Sequence, residues 1–144
     1  MSWDDYKKSL DDYFVAEIQR RGEQGPSQIT HAGLFGRGDG NPWMSTNKPW
    51  SIAASAGEIR NIESSFSTNP NPLGATGIKL GTMKFMYLRN DDTTIFGKKK
   101  ELGSLCIYRS KTAILIAIAK EGAQAGDLNS AVMNLGTYLV SAGM

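Results

Sequence analysis

His31 and Cys106 are the only histidine and the only cysteine in the 144-residue chain, which leaves one possible thiol–imidazole pair for nucleophilic chemistry. Both fall in segments with strand character, far apart in sequence, where such residues pack far more often than they react. A lone cysteine also excludes an internal disulfide and a cysteine-cluster metal site. The chain contains no HExxH, GxSxG or Walker pattern. Gly36-Arg37-Gly38-Asp39-Gly40 loosely resembles a phosphate loop, but no helical pattern follows it, so a hairpin turn is expected. Its Arg37-Gly38-Asp39 triplet is read as a chance match. No catalytic residue, metal ligand or cofactor is expected, and the chemistry left to the chain is recognition.

Two features could recognise something: charge and aromatic rings. Sixteen Lys/Arg against 14 Asp/Glu give a net +2, unevenly spread. Residues 79–120 hold nine Lys/Arg (Lys79, Lys84, Arg89, Lys98, Lys99, Lys100, Arg109, Lys111 and Lys120) against Asp91, Asp92 and Glu101. That segment is therefore +6 and the remainder −4, an asymmetry that favours an acidic partner. A solvated basic face without a partner is the plain alternative. A nucleic-acid module is another, because Phe85, Tyr87, Phe96 and Tyr108 interleave with the lysines as in single-strand binders. Against that stand a pI of only about 8.7 and the absence of a nucleic-acid motif.

The elements that must position these residues follow from periodicity. In 127–144, Leu128, Val132, Leu135 and Leu139 recur at helical spacing in one narrow stripe, with Asp127 as cap, Gly143 as stop, and Tyr138 beside Asn134 at the stripe's edge. Each such Leu buried contributes roughly 1.5–3 kcal/mol, so the stripe must pack on something, leaving the Tyr138 hydroxyl to face water. Ser2 and Asp5 suggest a capping box opening the first helix, with Trp3, Leu10 and Phe14 on one face and Tyr6 and Tyr13 on its flank. Ser55 and Glu58 suggest another, opening a helix over 56–66. Residues 20–27 and 69–74 read as loops. Strands are expected at 28–35, in a short run holding Trp43, and then at 77–80, 84–89, 93–96 and 105–108 as an antiparallel meander. Ala113–Ala119 is apolar throughout and should be a strand covered on both faces. The fold class is α+β in three layers: a central antiparallel sheet, the terminal helices on one face and the shorter helix on the other, in a single domain over 1–144. No apolar run is long enough to span a bilayer and no secretory pattern opens the chain, so a cytoplasmic location is expected.

Taken together, the motifs resemble the profilins. They are Met1-Ser2-Trp3-x-x-Tyr6, Asp39-Gly40-x-x-Trp43, Thr76-Gly77 with Leu80-Gly81-x-x-Lys84-x-x-x-x-Arg89, the lysine turn Gly97-Lys98-Lys99 that plant members carry, and Leu135-Gly136-x-Tyr138-Leu139 with Gly143. They run in family order over essentially the whole chain. The resemblance implies a monomeric, non-enzymatic protein of the cytoplasm and cytoskeleton. Such a protein binds monomeric actin and regulates filament assembly, while also binding proline-rich partners such as formins, and phosphoinositides. By resemblance the proline groove is Trp3, Tyr6, Trp43 and Tyr138, with Leu139 as a nearby wall. Actin would meet Lys84, Met86, Tyr87, Arg89, Lys99, Ala123, Gln124, Gly126, Asn129 and Asn134, and phosphoinositides would meet Lys98, Lys99 and Lys100. Asn134 and Ser130 stand where members are often acidic or sometimes basic, and Met144 where many end in an aromatic or leucine. An adaptor for proline-rich proteins with weak actin binding is the variant of this reading those departures suggest.

Overall fold

The computed structural model describes residues 2–144. Its elements are α1 (Asp5–Arg20), β1 (Ile29–Gly36), α2 (Ala56–Ser65), α3 (Leu73–Thr76), β2 (Ile78–Leu80), β3 (Met83–Asn90), β4 (Thr94–Lys99), β5 (Gly103–Arg109), β6 (Ala113–Ala119) and α4 (Ala125–Ser141). The strands form one antiparallel six-stranded sheet in the order β1-β6-β5-β4-β3-β2. The chain thus meanders from β2 to β6, and β1 closes the far side against β6.

Strand β6 explains the layering. All seven of its residues are buried, and its side chains alternate between two separate cores. Ala113, Leu115, Ala117 and Ala119 face α1 and α4, where three small side chains let the helices lie close. Ile114, Ile116 and Ile118 fill the opposite core with Ile59 and Ile62 of α2 and Leu73 of α3. The terminal helices share one face and α2 takes the other, as the periodicity implied.

Helix α4 buries Leu128, Val132, Leu135 and Leu139 and leaves Tyr138 exposed. Its end is closed by a Schellman arrangement. Gly143 takes φ 87° and donates to the Val140 carbonyl at 3.0 Å, while Met144 donates to Leu139 at 2.8 Å. Ser55 and Glu58 form both halves of the expected capping box on α2.

Several boundaries differ from the sequence reading. Helix α1 starts at Asp5 with Asp4 as N-cap. Only one half of the Ser2/Asp5 box forms there, the Ser2 N–H donating to Asp5 Oδ2 at 3.1 Å. Its buried stripe is Tyr6, Leu10, Phe14 and Ile18, so Tyr6 belongs to the stripe and Trp3 to the flank, the reverse of the expectation. Helix α4 begins three residues early, with Gln124 as N-cap. Asp127 is therefore a buried first-turn residue paired with Arg21, since a carboxylate inside the first turn can reach across to a cation instead of back to its own backbone. Trp43 lies on an irregular segment, tied to β1 through its own N–H and the Leu34 carbonyl at 2.7 Å and a single bridge at Pro42. Lys98 and Lys99 end β4, leaving Lys100 in the turn.

Candidate functional site

Four of the aromatic side chains singled out by sequence form a row. Trp43 and Trp3 have ring centroids 4.8 Å apart, Trp3 and Tyr6 5.9 Å, and Tyr6 and Tyr138 6.2 Å. The rings come from the segment after β1, from the turn before α1, from α1 itself and from α4. Trp3 is 37% exposed and Tyr138 48%, whereas Tyr6 is 8% exposed, so a buried ring is flanked by accessible ones. Burial, reinforced by the neighbouring Tyr138 hydroxyl, raises the Tyr6 hydroxyl above its ordinary pKa, and it stays protonated as a hydrogen-bond donor at neutral pH. Leu139 is fully buried in the core. It supports the row from beneath, because it lies on the α4 stripe, and does not form a wall.

Backbone geometry sets the row. A Cβ at Gly136 would run into the ring of Tyr108, so a glycine is what lets α4 settle on β5 next to Tyr138. Gly40, at φ 73°, packs its α-carbon against the Ala56 backbone, turning the chain toward Trp43. Asp4 receives hydrogen bonds from the Ser45 N–H at 2.8 Å and the Ser45 hydroxyl at 2.5 Å. Those two bonds, the hydroxyl's first, hold its carboxyl below the usual range.

The second set of residues lies at the β3–β4 edge and the start of α4. A cleft of about 470 Å³ is lined by Arg89, Phe96, Lys98, Lys99, Glu121, Ala123 and Asn129 among others. A second, of about 340 Å³, takes Lys84, Met86, Tyr87 and Lys99, so Lys99 belongs to both. A register shift between Tyr87 and Arg89 marks a bulge; it leaves Leu88 51% exposed and sets the Arg89 guanidinium 4.1 Å over Phe96. Gln124 and Gly126 are exposed around the α4 N-terminus. Asn134 is exposed on α4, one turn before Tyr138. Lys98, Lys99 and Lys100 are all exposed, with the Glu121 carboxylate binding the Glu101 N–H at 2.6 Å in the turn beside them.

The other residues singled out from the sequence lie away from both surfaces or in the core. Phe85, Phe96 and Tyr108 are buried at 1%, 8% and 8% exposure, so three of the four rings that suggested single-strand binding are core and cannot stack on bases. His31 and Cys106 do not meet: strand β6 lies between theirs, and Cys106 points into the helix-side core with Ala32, the face opposite His31. Burial pushes the Cys106 thiol far up, which denies it a thiolate. No metal-binding cluster occurs among the described residues, and no helix is long and apolar enough to cross a membrane. Arg37 of the RGD triplet is committed inward, binding Glu63 Oε1 and the Ser110 carbonyl, each at 2.8 Å. Sequence reasoning missed Leu88, the Asp4–Ser45 pair and the Arg21–Asp127 pair. Only Leu88 had a signal, its place two residues beyond Met86 on an alternating strand.

A central strand buried on both faces, a row of partly accessible rings and exposed cations and apolar side chains along β3 and β4 make the architecture of a small binding domain. The chain belongs to the profilin family, whose model matches residues 1–144. It is 33% identical over 146 residues to a profilin of Heliocidaris crassispina and 34% over 151 residues to one of Strongylocentrotus purpuratus, all of both chains being covered in each case. Among solved structures it is similar to Acanthamoeba castellanii profilin IA, with TM-score 0.71, 26% identity and 94% of this chain and 99% of that one covered. Mouse profilin IIa, solved in complex with a double repeat from the FH1 domain of mDia1, shares the fold at TM-score 0.68 and 18% identity, over 95% and 98% of the two chains. The family is one of non-enzymatic binding proteins that take actin and poly-proline ligands.

Proposed function

We propose that this protein binds monomeric actin and regulates filament assembly, promoting nucleotide exchange and delivering monomers, while it docks proline-rich segments of partners such as formins. The single observation that carries the reading is the continuous row Trp43–Trp3–Tyr6–Tyr138, with neighbouring centroids 4.8–6.2 Å apart. A polyproline helix rises about 3.1 Å per residue, so each step between rings spans about two residues of ligand. Flat rings match the proline faces, and a preformed ligand helix loses little entropy on docking. The mouse profilin complex with a formin repeat supports the same class of partner.

Actin is assigned to the clefted edge, through Lys84, Met86, Tyr87, Arg89, Lys99, Ala123, Gln124, Gly126 and Asn129, with Asn134 at its margin. Exposed cations there steer an acidic partner, and Met86 and Leu88, 61% and 51% exposed, supply apolar surface to bury. Phosphoinositide headgroups are assigned to Lys98, Lys99 and Lys100 and compete with actin for that charge. A cytoplasmic, monomeric, single-domain protein fits this role. Titration into pyrene-labelled actin, with and without a proline decamer, is the test. Slower spontaneous assembly with the decamer bound at the same time supports both surfaces. Retention on proline resin without any effect on actin would leave only the adaptor, and loss of both would overturn the reading.

A further inference from the structure

Half of the aromatic row is not held by regular structure. Trp3 precedes α1, and Trp43 lies on the irregular segment after β1. Their centroids nevertheless stand 4.8 Å apart, closer than any other pair in the row. The contact that joins their segments is a carboxylate clasp. Asp4, next to Trp3, takes the Ser45 N–H on Oδ1 and the Ser45 hydroxyl on Oδ2, at 2.8 and 2.5 Å. Ser45 stands two residues past Trp43, and its carbonyl is held in turn by the Ser51 hydroxyl at 2.7 Å.

Asp4 is the N-cap of α1, yet its side chain makes no capping bond to that helix. The usual helix-stabilising use of an N-cap aspartate is given up for a bond across 41 residues of sequence. We infer that Asp4 is a positioning residue for the proline-ligand surface: its carboxylate, closed on Ser45, fixes the Trp3 ring against Trp43 so that both present one pre-organised face. This rests on the proposed function only in its ligand; the ring geometry itself does not. Pre-organisation matters because a floppy ring must be ordered by the ligand at the ligand's expense. Lys48 is the charged group facing Asp4 and adds its attraction to the carboxylate form.

The test uses the full chain and four proteins: parent, Asp4→Ala, Asp4→Asn and Ser45→Ala. The exciton couplet of the paired indoles in circular dichroism reads the tryptophan pair directly, without any ligand, and a proline decamer reads the surface. Asp4→Ala and Ser45→Ala should both lose the tryptophan couplet, keep the parent's infrared amide band, and bind the decamer about tenfold more weakly. Asp4→Asn keeps an acceptor for the Ser45 N–H and should retain most of the couplet and bind within about threefold of the parent. A urea melt of each variant separates the two causes: a general loss of stability lowers the midpoint, whereas loss of the clasp alone removes the couplet at the parent's midpoint. An unchanged couplet in both alanine variants overturns the clasp, whatever the peptide does. A parent that keeps its couplet and ignores the decamer overturns the proline reading and leaves the clasp standing.

Discussion

Leu135 and Tyr138 lie three residues apart on α4 and do different work. Leu135 is 1% exposed and Tyr138 48%. Leu135→Ala opens a void in the helix-side core and should cost about 2–5 kcal/mol. Tyr138→Ala removes a ring from the row's edge, should cost much less, and should act mainly on proline-peptide binding. Urea melts of both variants decide this, and equal losses would make Tyr138 a core residue. Gly136 is the third member of the set. Gly136→Ala places a methyl against the Tyr108 ring, and overpacking of that kind costs about 1–3 kcal/mol. Because the clash lifts α4 locally, peptide affinity should fall with stability. A Gly136→Ala variant with the parent's urea midpoint would show that α4 has room to spare.

At the scale of elements, the turn after β1 is pinned twice by one carboxylate. Arg37 binds Glu63 of α2 at 2.8 Å, and the Gly38 N–H binds the same carboxylate at 2.9 Å. Burial pushes the Glu63 carboxyl up, but Arg37, the Gly38 N–H and the charges of Arg37 and Arg109 together outweigh it, so the balance lies below 4.5. A carboxyl whose pKa is depressed on folding stabilises the protein above its unfolded value and loses that contribution as the pH falls through the folded value. Glu63→Gln should therefore lower the melting temperature at pH 7, and the gap to the parent should narrow as the pH drops below 4.5. A gap independent of pH would assign Glu63 a packing role only. Elements with strong periodicity were legible in advance: β6 begins and ends where its apolar run does, and α2 carries its capping box. What was not legible depends on partners distant in sequence. Asp127 read as a cap because its true partner, Arg21, is 106 residues away. Asp5 looked like half of a capping box, but Asp4 is tied to Ser45 and the helix starts later. The order of Trp3 and Tyr6 on α1 was inverted because the first turn is not helical, and helical spacing applies only inside a helix.

At the scale of the whole molecule there are two surfaces, the aromatic row where Tyr138 of α4 meets Tyr6 of α1, and the basic clefts along β3, β4 and the start of α4. The four row residues were found by resemblance and converge in space, whereas the actin set spreads over two clefts and along α4. Charge should distinguish the surfaces. Changing Lys98, Lys99 and Lys100 to Glu alters the charge of the exposed β4 end by six units and should slow association with monomeric actin, most at low salt. Vesicle binding should weaken as well, each cation near an anionic surface being worth about 1 kcal/mol. Proline-peptide affinity should stay the same; stopped-flow association beside peptide titration on one variant measures both, and an unchanged actin on-rate removes these lysines from the interface. The most direct test of the central claim needs no variant: map backbone amide and indole N–H shifts of labelled protein as a proline decamer is added. The row predicts that the Trp3 and Trp43 indole signals and the amides around Tyr138 move together on one binding curve, while Lys84 to Lys99 stay still. Shifts confined to the β3–β4 edge, with both indoles unmoved, would contradict it.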